Sequence, residues 1–201
     1  MHRLFDLAAP IWRVMATVGD LILLNVLLLL ACAPVVTAGA GFTAVFDTAR
    51  RLQDRSDDGV RRTFFRSFRA NFAGATAIWA VLGPVGIGIA LAWAFLTPAE
   101  LLVWKILVSV VYLLVFPFAW AMQARFENRP LRTLRNAVVV SIGRLPFTLG
   151  ILAVHAVLLA VTIATWILLP QALFPLLALG YPLAAYGATP LLERALAPFL
   201  R

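Results

Sequence analysis

The sequence has one cysteine, Cys32, two histidines, His2 and His155, and one lysine, Lys105, among its 201 residues. A lone cysteine excludes an intramolecular disulfide and a Cys-based metal site, and leaves the redox compartment undetermined. There is no Gly-rich phosphate loop, no cluster of metal-ligand residues, and no Ser, His and acid grouping near one depth. The chain is therefore expected to be no enzyme and to need no cofactor. Charge is scarce as well, at 13% against the usual one quarter, while 63% of the residues are hydrophobic. With a mean hydropathy of +0.94, water is not the main solvent of this chain. No polar or Gly/Ser-rich linker divides it, so residues 1–201 read as a single membrane domain.

The formal charge of +8 is not a nucleic-acid footprint. The basic residues sit in clusters between long apolar runs, not over a polar surface, and no stacking aromatics accompany them. The charge-free gaps define the expected spans, because about 20 apolar helical residues cross a hydrocarbon core roughly 30 Å thick. Twenty-six uncharged residues separate Asp20 from Asp47, 30 separate Arg69 from Glu100, and 19 separate Lys105 from Arg125. The last gap, from Arg144 to Glu193, holds 48, which at 1.5 Å per residue is about 70 Å and more than twice the membrane. It must turn back, and Leu169, Pro170 and Gln171 mark the turn. The predicted architecture is an all-α polytopic bundle with spans near 20–46, 72–97, 101–123, 146–168 and 172–192. Lys105 would snorkel to the interface from the third.

The N-terminal apolar run is too long for a signal peptide and lacks a small-residue cleavage site before Pro34, so it is expected to stay attached. Residues 1–19 read as a short interfacial helix, with Leu4, Phe5, Leu7, Ile11 and Trp12 beside Arg3, Asp6 and Arg13. Twelve of the seventeen basic residues fall in two loops, 47–71 and the stretch after the third span through Arg144. The positive-inside rule puts both in the cytoplasm, which with five spans leaves the N-terminus outside and the C-terminus inside.

The two loops echo each other. Phe65, Arg66, Ser67, Phe68, Arg69 and Asn71 match Leu131, Arg132, Thr133, Leu134, Arg135 and Asn136, each set just before a span. On a helix Phe64, Phe68 and Phe72 share one face and Arg62, Arg66 and Arg69 the other; Leu131, Leu134 and Val138 stand likewise against Arg132 and Arg135. Each loop is expected to end in a short amphipathic helix. Its arginines, Arg62, Arg66, Arg69, Arg132 and Arg135, would contact either lipid headgroups or a protein partner. The echo also suggests a parallel repeat, spans one and two matching three and four.

Within the spans, Asn25 and His155 are the polar side chains to watch, since ionisable or amide groups in hydrocarbon are costly. Asn25 reads as helix–helix glue, and His155 as a neutral imidazole bonded to a neighbouring helix. Glu127 should pair with Arg125 or Arg129, and Asp47 with Arg50 or Arg51. Pro34, Gly39 and Gly41, then Gly83, Pro84, Gly86 and Gly88, then Pro117, Pro175 and Pro182, serve either close packing or broken helices around a midplane site.

Several of these segments in order carry a resemblance. They are Leu24 and Asn25; Ala33 through Gly39; Phe64 through Phe72; Phe116 and Pro117; Ala124 through Asn128; and Leu131 through Ala137 with Leu145 and Pro146. In combination they resemble the YesL-like family of small bacterial membrane proteins, over nearly the whole chain. The resemblance implies a domain of unknown function in the bacterial cytoplasmic membrane, often encoded near carbohydrate uptake systems of the ATP-binding cassette type. It brings no catalytic residues. What it implies is an accessory role, with ABC-type sugar transporter subunits as partners besides the bilayer. The alternative is a small transporter or channel for a neutral solute; oligomeric state is left open.

Overall fold

The computed structural model describes residues 10–199, and all of its regular structure is helical. The interfacial helix expected over residues 1–19 lies in part outside the described residues; from Pro10 the chain is already in the first long helix. That helix, α1 (Pro10–Cys32), opens on a proline, whose fixed φ suits a first helical position. It ends where Pro34 can neither donate a backbone hydrogen bond nor let Ala33 stay helical. Val35 takes a left-handed φ of 27°, and the Thr37 hydroxyl donates to the carbonyl of Ala31, one of the acceptors that the helix end leaves over.

After this turn comes α2 (Ala38–Asp54), and here the structure corrects the expected span at 20–46. The segment is a hairpin of two helices, not one crossing. Gly41 of α2 lies against Leu28, Ala31 and Cys32 of α1, and Asp20 of α1 is within Coulombic reach of Asp57, just beyond the end of α2. The start of α1 and the first arginine-rich loop are therefore on the same side of the bundle. The physical reason is the small-residue run Ala38, Gly39, Ala40 and Gly41, which lets α2 fit between its neighbours. A Cβ on Gly39 would stand 2.5 Å from the Ala75 carbonyl oxygen and 2.6 Å from Trp79 Cβ. Apart from half-buried Phe42, every residue from Ala38 to Ala49 is buried.

Arg55, in the left-handed conformation, caps α2 by donating to the carbonyls of Arg51 and Leu52. Gly59 (φ 87°) leads into α3 (Val60–Phe95), which packs back along α2. Instead of a short amphipathic helix followed by a separate span, the chain forms one helix of 36 residues, about 54 Å long. It exceeds the hydrocarbon thickness, so its arginine-bearing first turns extend beyond the apolar length that begins near Phe72.

Helix α4 (Leu102–Gln123) returns along α3, and α5 (Pro130–Gly143) folds back on α4. Arg144 then leaves helical geometry (φ −122°, ψ 39°) before α6 (Leu145–Leu168). Pro146 in the first turn suits the start of a new helix there, whereas α3 runs on through the matching stretch 70–75. The predicted turn at 169–171 is present, and α7 (Leu173–Leu196) runs back along α6. α7 is broken at Gly180 (φ 50°, ψ −148°). Pro84 and Pro117, by contrast, lie inside continuous helices.

Among the described residues, four helices are long and apolar enough to cross a membrane: α1 from Trp12, α3, α4 with its preceding turn, and α6. α7 corresponds to the expected fifth span but carries the break. Among the described residues, the core draws on each of α1 to α7, around α2. At its centre Phe42 meets Trp79, Phe116, Trp120 and Tyr181, with ring centroids 5.3–5.9 Å apart. Such aromatic pairs add about 0.5–1.5 kcal/mol each beyond their buried area.

Candidate functional site

The polar chemistry concentrates at the end of the bundle where α2 finishes, α3 begins and α4 gives way to α5. Along α3, spacing of four places Phe64, Phe68 and Phe72 in a ladder, with centroids 6.1 and 5.6 Å apart. Phe64 is fully buried against the core while Arg62, Arg66 and Arg69 are exposed. The amphipathic reading of α3 is thus what the structure shows. Arg61, Arg62, Phe65, Arg66 and Arg69 line one open groove.

Arg132 and Arg135 are likewise exposed on α5, and Leu134 of the expected apolar face packs against the core. The buried side of α5 is Thr133, Ala137, Val140 and Ser141, whereas Leu131 and Val138 are exposed. Ser67 and Thr133, which correspond in the two echoing loops, are both buried. Each also sits on a helix folded back on its predecessor.

Between α2, α3 and residues 124–128 lies a polar cleft of about 510 Å³. Asp47 is buried at its edge and accepts from two guanidiniums, Arg50 Nη2 at 2.8 Å and Arg51 Nε at 3.1 Å. Both expected pairings of Asp47 therefore occur together, which answers the desolvation cost of the carboxylate. Arg66 Nη1 donates to Asp58 at 2.7 Å. That guanidinium holds the exposed Asp58 carboxyl below its ordinary value, first through the hydrogen bond and then through charge.

The floor is an amide pair. Asn71 Nδ2 donates to the Ser67 carbonyl at 3.0 Å, and Gln123 Nε2 makes a long 3.5 Å contact to Asn71 Oδ1. Gly74 permits this, since a Cβ there would stand 2.6 Å from Gln123 Nε2. Gln123 Oε1 is buried without a hydrogen-bond partner among the described residues. Arg125 pairs with Glu193 of α7, not with Glu127, which is exposed and forms no ion pair among the described residues. Sequence reasoning missed Glu193 because its partner is 68 residues away; local charge spacing carries no such signal.

The two intramembrane candidates are brought near each other through α7. Asn25 Nδ2 donates to the Leu177 carbonyl at 3.0 Å, one turn before the break, and its amide fills the space that a Cβ on Gly180 would take. Asn25 does join two helices. His155 does not: its Nδ1 meets the Ile151 carbonyl of its own helix at 2.8 Å, and only its ring face reaches α7, 5.8 Å from Tyr181. At the opposite end Lys105 Nζ donates to the Leu96 carbonyl at 2.7 Å and sits 4.8 Å from the Trp93 ring centroid. It thereby caps α3 electrostatically.

The fold and this site define an all-α, multi-pass membrane protein whose polar end carries arginines and a cleft. A family described as "Protein of unknown function, DUF624" matches residues 21–93, the stretch comprising most of α1, α2 and nearly all of α3. No curated protein and no solved structure matches the chain.

Proposed function

We propose that the chain is a non-enzymatic accessory component of a membrane transport system that contacts its partner through the arginines of α3 and α5. The observation that carries this reading is the exposure of Arg62, Arg66 and Arg69 on a helix too long for the bilayer alone. A flexible surface loop would lose more conformational freedom on docking than this preformed ridge does.

The resemblance to the YesL-like family makes ABC-type sugar transporter subunits the first partners to test, in a bacterial cytoplasmic membrane. By the positive-inside rule the arginine-bearing end faces the cytoplasm. Because α1 and α2 form a hairpin, the start of α1 then faces the cytoplasm as well, as does the end of α7 through Glu193 and Arg125. This proposed orientation is the alternative to the outside N-terminus expected from five crossings.

The test is affinity purification in mild detergent from the native host, wild type beside an Arg66, Arg69, Arg132 and Arg135→Ala variant. Transporter subunits recovered with wild type and lost with the variant are the expected result. A small transporter for a neutral solute is the second reading, favoured by the break of α7 at Gly180 beside Asn25. Movement of labelled sugar into liposomes by the purified chain alone would overturn the accessory role in its favour.

A further inference from the structure

We infer that the polar cleft between α2, α3 and residues 124–128 is a binding site for a phosphate-bearing group, distinct from the partner ridge although Arg66 borders both. Three guanidiniums from three separate elements, Arg51, Arg66 and Arg125, line it. One edge of each is held by a carboxylate: Asp47, Asp58 and Glu193 respectively. These bonds fix the orientation of the guanidiniums and leave part of each five-donor fork uncommitted. Oriented forks are the geometry that matches phosphate oxygens two at a time.

The depth of the cleft points the same way. It opens where the apolar length of α3 begins, past Asn71, and where that of α4 ends, at Gln123. That is the level of lipid headgroups in a bilayer crossed by these helices. Its 510 Å³ accommodates a phosphate together with a small ester substituent. Of the two lining carboxylates, Asp47 is paired with Arg50 and Arg51, so Glu127, exposed and without an ion pair among the described residues, is the one left to oppose an anion. The phosphate can come from a membrane lipid or from a soluble phosphate ester, and the experiment separates them.

Thermal unfolding of the full chain in neutral detergent is followed while inorganic phosphate is titrated against chloride at matched ionic strength. In a parallel arm phosphatidylglycerol is titrated against diacylglycerol, which lacks the phosphate. Saturable stabilisation in the first arm identifies a soluble phosphate site, and in the second arm alone a lipid headgroup site. Arg51→Gln should weaken the apparent affinity about tenfold, as expected for one charge-assisted fork. Arg55→Gln, exposed and outside both the cleft and the ridge, should leave it unchanged. Arg51→Gln also takes a partner from Asp47, so Glu127→Gln serves as a second variant that disturbs no ion pair; it should tighten binding at least about threefold. No saturable stabilisation in either arm overturns the inference. So does an equal loss with Arg55→Gln, or an affinity indifferent to Glu127→Gln. None of these outcomes bears on whether the ridge holds a protein partner.

Discussion

Substituting Gly180 by Ala tests the junction between α1 and the broken α7, where the geometry permits a magnitude to be worked out. The backbone at Gly180 (φ 50°, ψ −148°) is essentially reserved for glycine, and holding a residue with a Cβ there costs about 1–3 kcal/mol. The Cβ would also enter the Asn25 amide, with Cγ at 2.7 Å and Nδ2 at 2.8 Å. Overpacking of this kind adds about 1–3 kcal/mol. Gly180→Ala should therefore destabilise by about 2–6 kcal/mol in total. Asn25→Ala alone removes one interhelical hydrogen bond in the membrane, worth about 0.6 and at most about 1.7 kcal/mol. In the double variant the clash is gone and the backbone strain stays, so the two costs should fall short of their sum by about 1–3 kcal/mol. Unfolding in mixed micelles of dodecyl maltoside and dodecyl sulfate, read by the fluorescence of the six tryptophans, measures all four corners of the cycle. Costs that add to within about 0.5 kcal/mol would refute the contact.

Two further outcomes are expected. Gly39→Ala should destabilise by about 1–3 kcal/mol or more, because the added Cβ meets the backbone of α3 at Ala75, which cannot rotate aside; the same unfolding assay checks it, with Gly88→Ala, where the space is open, as the comparison. For the start of α3, the Asp58 carboxyl sits below its ordinary value of 3.8, so its pairing with Arg66 supports the folded state at pH values above 3.8 and fades as the pH falls through the lower folded value. A stability difference between wild type and Asp58→Asn should thus be present at neutral pH and shrink as the pH falls below 3.8 and through the lower folded value; a difference that stays constant on acidification would contradict the pairing.

Much of the helix layout was legible in the residues alone. The spans at 101–123 and 146–168 agree with α4 and α6 to within about one residue, because a charge-free length and a proline turn are local quantities. The Phe64, Phe68 and Phe72 ladder follows from spacing by four. On α5 the same reasoning grouped Leu131, Leu134 and Val138 on one apolar face; the structure packs Leu134 against the core, leaves Leu131 and Val138 exposed and buries Thr133 and Ala137. Periodicity says which residues share a face, not which face the neighbouring helix will accept.

The sequence by itself determined that this is an all-α membrane bundle with its arginines gathered at one end, since hydrophobic length and charge clustering act through solvent and need no partner. Only the tertiary structure decided that Pro34 and the small residues after it reverse the chain, whereas Pro84 and Pro117 leave their helices unbroken. A proline removes one hydrogen bond wherever it stands, but whether the chain bends, continues or turns back depends on the surfaces available to pack against. The cleft belongs to the tertiary structure for the same reason. Arg51, Arg66 and Arg125 come from three elements, Gln123 reaches the floor only because Gly74 lacks a side chain, and contacts between such distant residues leave no periodic trace in the chain.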